Sequence, residues 1–177
     1  MTDEQLEKLR FPIGKYAPGD DIGMDDVQQW VADIGNLPDQ LIKVLEGTKG
    51  SDLDNTYRQG SWTARQVIHH MADSHINAYS RMKRTLTEDL PTILPYDEGE
   101  WAKLPDVSTV SVDVSVSMLQ GIHQRLYTTI NDLSISQLSR KYKHADFDKP
   151  ESMAHLIGMY AWHGRHHIGH LKLAFGK

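Results

Sequence analysis

Four of the ten histidines in this 177-residue chain fall in one short stretch, Ala161-Trp162-His163-Gly164-Arg165-His166-His167-Ile168-Gly169-His170. On a helix each residue advances about 100°, so His163 and His167 stand roughly 40° apart and about 6 Å apart along the axis. That is the i, i+4 geometry by which one helix offers two imidazoles to one metal ion. With His163 at 0°, Leu156 and Ala174 fall near 20° and Leu171 near about 80°, which sets both histidines within the apolar face. His166 and His170 fall at its margin. Two imidazoles side by side in a core cost desolvation unless their nitrogens find partners. A metal ion supplies such partners; so do polar neighbours around a purely structural pair. A third ligand must come from elsewhere, and His69-His70 is the leading source, with His75 beside it. Helical phase alone leaves these three open.

The elements that must position these residues are legible in part. From Met24, Val27, Trp30, Val31 and Ile34 recur at helical spacing, and Leu37, Leu41, Val44 and Leu45 carry the stripe to Gly47. Pro38 lacks an N–H and is expected to kink or restart that helix. Thr63-Ala64-Arg65-Gln66 forms a capping box that opens a helix to about Glu88, because Pro91 forces an end nearby. On it His70, Ser74, Asn77 and Arg81 make a polar line bordering the apolar face, which suits either a site wall or a solvated margin. Residues 91–110 hold three prolines and read as a long irregular connection. Val110, Val112, Val114 and Val116 alternate as a strand would. Met118, Leu119, Ile122, Leu126, Tyr127 and Ile130 follow at helical spacing, so a helix over 113–132 is preferred. Ser134-Ile135-Ser136-Gln137 caps a short turn, and residues 140–150, with Lys141, Lys143, His144, Asp146 and Asp148, suit a polar hairpin. Ser152 caps a last helix to Phe175, ended by Gly176. Residues 1–22 read as an extended arm with turns whose aromatics pack on the body. The expectation is one all-α domain, a four-helix bundle with long connections and no strand beyond that hairpin.

Composition bounds the chemistry. Hydrophobic residues at 39% and charged residues at 24% fit a soluble domain. A net charge of −5 gives no electrostatic reason to expect nucleic acid. With no cysteine, any metal is held by nitrogen and oxygen. The acidic N-terminus lacks a signal-peptide core and no apolar run approaches a membrane span, so a cytoplasmic protein is expected.

The segment Trp62-Thr63-x-Arg65-Gln66-Val67-x-His69-His70-x-Ala72-Asp73-Ser74-His75-x-Asn77-x-Tyr79 resembles the second helix of the YfiT branch of the DinB/YfiT-like family. Leu86-Thr87-Glu88, Pro95-Tyr96-Asp97-Glu98 and Trp101 are similar to its long connection. Tyr160-x-Trp162-His163-x-x-His166-His167-Ile168-x-His170 is similar to its last helix, and Phe11-Pro12-Ile13-Gly14-x-Tyr16 to its arm. Residues 106–118 match poorly. The resemblance implies a four-helix bundle, a metal-dependent hydrolase or an S-transferase for low-molecular-weight thiols such as bacillithiol, and a homodimer. It also implies one divalent ion per chain, held by His70, His163 and His167. Zinc is the first choice of metal and nickel the alternative, since both suit imidazole.

Three imidazoles leave an ion with an open position, the pattern of catalytic sites rather than closed structural ones. Such an ion can acidify water or hold a thiol as thiolate. A zincin carries Glu beside its first histidine; here Gly164, Arg165 and His166 intervene, which argues against a peptidase. Asn77 and Arg81 are the candidate anchors for an anionic small-molecule substrate. Asp73 is placed to orient an imidazole, and Tyr96 and Asp97 either to cover the mouth or to stitch down the loop. The rival class is a non-catalytic metal-binding, stress-response dimer on the same bundle. Gly164 and Gly169 are expected to loosen the last helix slightly.

Overall fold

The computed structural model describes residues 2–19, 21–145 and 148–177. It opens with an element that the turn residues conceal. Thr2 accepts from the Gln5 amide and Gln5 accepts from the Thr2 amide, and this capping box starts α1 (Asp3–Arg10). The arm is therefore helical first and irregular only from Phe11, turning at Gly14 with φ +78°. It does pack on the body: the Tyr16 hydroxyl donates to the His155 carbonyl at 3.1 Å, and the Trp162 indole donates to the Gly14 carbonyl at 3.0 Å.

Helix α2 (Met24–Leu45) runs through Pro38 as one helix, so the proline does not restart it. A 3₁₀ turn, Gly50–Asp54, leads to α3 (Ala64–Thr87), whose Thr63–Gln66 capping box is formed in both directions. The connection that follows carries β1 (Thr92–Ile93), α4 (Glu98–Trp101) and α5 (Pro105–Thr109). Ser111 caps α6 (Val112–Ile130), so the alternating valines are helical. Then come α7 (Ile135–Leu138), β2 (Lys141–His144), β3 (Glu151–Ser152) and α8 (Met153–Phe175). Ser152 caps α8, and Gly176, with φ +65°, ends it in the left-handed conformation.

The hairpin expected near 140–150 is the antiparallel β2–β3 pair, with Lys141 opposite Ser152; Asp146 lies outside the described residues. A third strand adds to it. β1 pairs parallel with β2, Thr92 opposite Lys143. At two residues β1 is too short to show alternation, which is why this strand does not register in the sequence.

Among the long helices, α2 and α3 each pack against α6 and α8, so α2 and α3 lie diagonally although they are consecutive. Two apolar clusters fill the bundle. One holds Val31, Ile34, Ala78, Met82, Leu126, Ile130, Ile157 and Ala161; the other Leu37, Leu41, Ile68, Met71, Leu119, Ile168 and Leu171. Every long helix changes cluster partway along, and on α3, α6 and α8 histidines occupy the change. His75 precedes Ala78, His123 lies between Leu119 and Leu126, and His163 and His167 between Ala161 and Ile168.

Helix α8 runs unbroken through Gly164 and Gly169, and a Cβ at Gly169 would come within 2.8 Å of Pro12. A Cβ at Gly164 would come within 2.6 Å of a Leu37 methyl, and one at Gly158 within 2.7 Å of the Trp30 ring. At both positions an α2 side chain packs where a Cβ would stand. Among the described residues no helix is long and apolar enough to cross a membrane.

Candidate metal centre

His70 from α3 and His163 and His167 from α8 bring three Nε2 atoms together. His163 Nε2 lies 3.2 Å from His70 Nε2 and 3.1 Å from His167 Nε2, and all three ligand atoms fall within 4.8 Å of one another. A tetrahedral ion about 2.0–2.1 Å from each nitrogen sets the nitrogens about 3.3 Å apart. The donor set and its spacing fit one divalent ion. His69, the neighbour in sequence, points elsewhere: its Nδ1 meets the Ser115 hydroxyl of α6 at 2.8 Å.

The three imidazoles are not isolated. His163 Nδ1 lies 3.3 Å from His75 Nε2, and His75 Nδ1 lies 2.9 Å from His123 Nε2. His123 Nδ1 in turn lies 2.6 Å from the Ile34 carbonyl of α2. On the other side, His167 Nδ1 lies 3.4 Å from His170 Nδ1, and His170 Nε2 lies 3.1 Å from the Arg10 carbonyl. Tyr57 stacks on the His170 ring at 3.8 Å, and Trp62 leans on His70 at 4.8 Å between ring centres. His166, His167 and His170 make a second close group of histidines.

Burial sets the charge of this layer. It lowers the His70 pKa to about 4. Burial first, and then the surrounding imidazoles, hold His75, His163 and His167 well below the ordinary value. For His123 burial again lowers the pKa, opposed by its bond to the Ile34 carbonyl. Neutral imidazole is the form that ligates a metal.

The other sequence candidates are engaged as follows. The Asn77 amide donates to the Asp73 carbonyl of its own helix at 2.9 Å. Arg81 donates to the Tyr160 hydroxyl at 2.8 Å and to the Leu94 carbonyl at 3.0 Å, tying α3 to α8 and to the connection. Asp73 is half-buried, and burial followed by Asp106 raises its carboxyl. Asp97 caps α4 through the Glu100 amide at 2.9 Å. Tyr96 packs on Trp101 and is pushed up to about 12 by burial, against a bond to Ser74. Among the described residues no carboxylate joins either histidine group. His123 escaped sequence reasoning. The available signal was its place in the Leu119, His123, Leu126, Ile130 stripe, where a polar residue on a buried face needs a reason.

Fold and site together define a four-helix bundle that carries a three-histidine centre between two of its helices. The family model described as the DinB superfamily matches residues 34–171, and the chain belongs to that family. A protein of Bacillus anthracis (strain A0248), named "Putative metal-dependent hydrolase", is 42% identical over 166 residues, covering 94% of this chain and 95% of its own. One of Bacillus cereus (strain 03BB102), with the same name, matches at the same identity and coverage. Among solved structures, YfiT from Bacillus subtilis superposes with a TM-score of 0.89 at 38% identity, covering 96% of this chain and 98% of that one. It is described as "a probable metal-dependent hydrolase with an unusual four-helix bundle topology". The diagonal placement of α2 and α3 is an uncommon connection in a bundle, where short loops usually join neighbours.

Proposed function

We propose that this chain is a metal-dependent hydrolase of small molecules that holds one divalent ion, zinc before nickel, on Nε2 of His70, His163 and His167. The observation that carries the reading is the convergence of those three nitrogens at 3.1–3.2 Å spacing from His163. The names borne by its relatives support the same reading. An ion on three neutral imidazoles keeps its charge and supplies Lewis acidity, which lowers the pKa of water or of a thiol. The chain's own part is to keep the three imidazoles neutral by burial and to hold them at fixed spacing. A cavity of about 340 Å³ beside His167, walled by Arg10, Phe11, Tyr57, Arg58 and Trp62, is of small-molecule size. Its two arginines suit a substrate with an anionic group.

One observation favours a second reading, transfer of a low-molecular-weight thiol to an electrophile. No carboxylate stands with the histidines among the described residues, and a thiol needs less help from a base than water does. On that reading Arg81 meets the thiol's carboxylate only through the N–H groups left over from Tyr160 and Leu94. We further propose a homodimer, which sedimentation equilibrium tests against the 20.1 kDa of one chain.

The experiment compares zinc-loaded with chelator-stripped protein on chromogenic esters and amides, and on an electrophile offered with several thiols. Zinc-dependent hydrolysis supports the first reading, and thiol-dependent, zinc-dependent conjugation the second. Zinc bound with no turnover of either kind overturns both and leaves a binding module.

A further inference from the structure

Each neutral imidazole has one nitrogen that donates and one that accepts, and a backbone carbonyl only accepts. Those two rules order every proton in the two lines of histidines behind the centre. The Ile34 carbonyl requires His123 to carry its proton on Nδ1, which leaves His123 Nε2 to accept from His75 Nδ1. His75 Nε2 must then accept from His163 Nδ1, and His163 Nε2 is left bare. In the second line the Arg10 carbonyl requires His170 to carry its proton on Nε2, so His170 Nδ1 accepts from His167 Nδ1. His167 Nε2 is left bare in its turn. Both lines deliver the same tautomer, and both bare nitrogens face His70 Nε2 or each other.

The two carbonyls are available for a reason visible in the chain. In an unbroken helix the Ile34 carbonyl accepts from the amide of residue 38, and that residue is Pro38, which has none. The Arg10 carbonyl is at the C-terminal end of α1, where the last carbonyls of a helix have no partner within it. A proline inside one helix and the end of another thus supply the acceptors on which the lines terminate.

We propose that His75, His123 and His170 are positioning residues, two proton-ordered relays that hold His163 and His167 as Nδ1–H tautomers with Nε2 offered to the metal. The inference rests on the metal reading above and deepens it. Partners of this kind fix ring orientation and raise ligand basicity, and their loss weakens metal binding about 10–100-fold. One corollary concerns the second group of histidines. His167 Nδ1 carries a proton and His170 has both nitrogens engaged, so His166, His167 and His170 do not hold an ion of their own while the relay stands. Another is that α1 acts on the centre from a distance, through the carbonyl of its last residue.

The test reads tautomers directly. Long-range ¹H–¹⁵N correlation spectra of zinc-free wild-type protein are expected to show His163 and His167 protonated on Nδ1 and bare on Nε2. An Nε2–H tautomer at either ligand overturns the relay that ends on it. Zinc affinity, measured by competition with a chromophoric chelator, is expected to fall about 10–100-fold in His75→Phe and in His170→Phe, and to stay unchanged in His166→Phe. Unchanged affinity in a variant that keeps its helical circular dichroism overturns the corresponding relay, and a variant that does not fold leaves the wild-type spectrum to decide. Wild-type protein that takes up no zinc sinks the proposed function itself; zinc uptake with the wrong tautomers sinks only the relays.

Discussion

The apolar clusters of this bundle and the histidine layer between them are built on the same helices, a turn apart, yet by different rules. Leu126 and His123 are both completely or almost completely buried on one face of α6. Leu126 is specified by shape and by removal from water, terms that are non-directional and that tolerate repacking. His123 is specified by two hydrogen bonds, one to Ile34 and one to His75, and each has a single acceptable polarity. The apolar clusters therefore hold the fold while the layer stores direction. Its N–H groups donate towards backbone carbonyls and leave bare nitrogens facing one spot between α3 and α8.

The sharpest way to break the comparison is to exchange the two rules. Leu126→Ala is expected to cost about 2–5 kcal/mol of stability while leaving zinc affinity intact once the protein is folded. His123→Leu fills its volume but leaves the Ile34 carbonyl and His75 Nδ1–H unpaired in the core, and is expected to cost a similar amount, roughly 2–6 kcal/mol. Unlike Leu126→Ala, it is expected to weaken zinc binding as well. Urea unfolding of the metal-free proteins, set beside zinc competition, checks both arms; unchanged zinc affinity in folded His123→Leu protein would show that the layer is ordinary core.

Acid should find the layer before it finds the clusters. The folded His70 pKa is lowered to about 4 from an unfolded value of 6.5, with burial as the cause. Below pH 6.5 the unfolded chain takes up protons that the fold refuses, so stability is full above that pH and falls as pH drops towards about 4. His70 alone contributes about 3 kcal/mol to that loss. Thermal melts of metal-free protein across this window are expected to slope downwards with acid, and His70→Phe is expected to flatten the slope.

A smaller effect is expected where α2 and α8 touch. Gly164→Ala places a Cβ within 2.6 Å of a Leu37 methyl and should cost about 1–3 kcal/mol, with some loss of zinc affinity as His163 shifts beside it. Denaturant midpoints check the first part. A stabilised Gly164→Ala protein would mean that the helix gains more from alanine than the contact loses.

Much of this architecture is legible in the chain, and the parts that are not have physical reasons. The capping pairs Thr63–Gln66 and Ser134–Gln137 mark their helices because a cap is a local rule. The i, i+4 spacing of His163 and His167 is local as well. Which of His69, His70 and His75 meets them depends on the rotation of α3 against α8, and helical phase does not carry that information. Pro38 and Gly164 read as defects because propensity scores a residue by itself. In the fold each is defined by its partner, the His123 imidazole bonded to the freed Ile34 carbonyl or the Leu37 side chain pressed on the glycine. The helix at Asp3–Arg10 carries the same kind of cap, Thr2–Gln5, but none of its residues is buried, so no apolar stripe follows the cap to mark a helix.

The central claim is that His70, His163 and His167 hold one divalent ion through Nε2. X-ray absorption spectroscopy of the zinc-loaded protein tests it most directly. One zinc per chain is expected, with three imidazole nitrogens at about 2.0–2.1 Å, and one fewer imidazole in a His70→Ala protein. A zinc shell of oxygens alone, or an unchanged count of imidazoles in that variant, would contradict it.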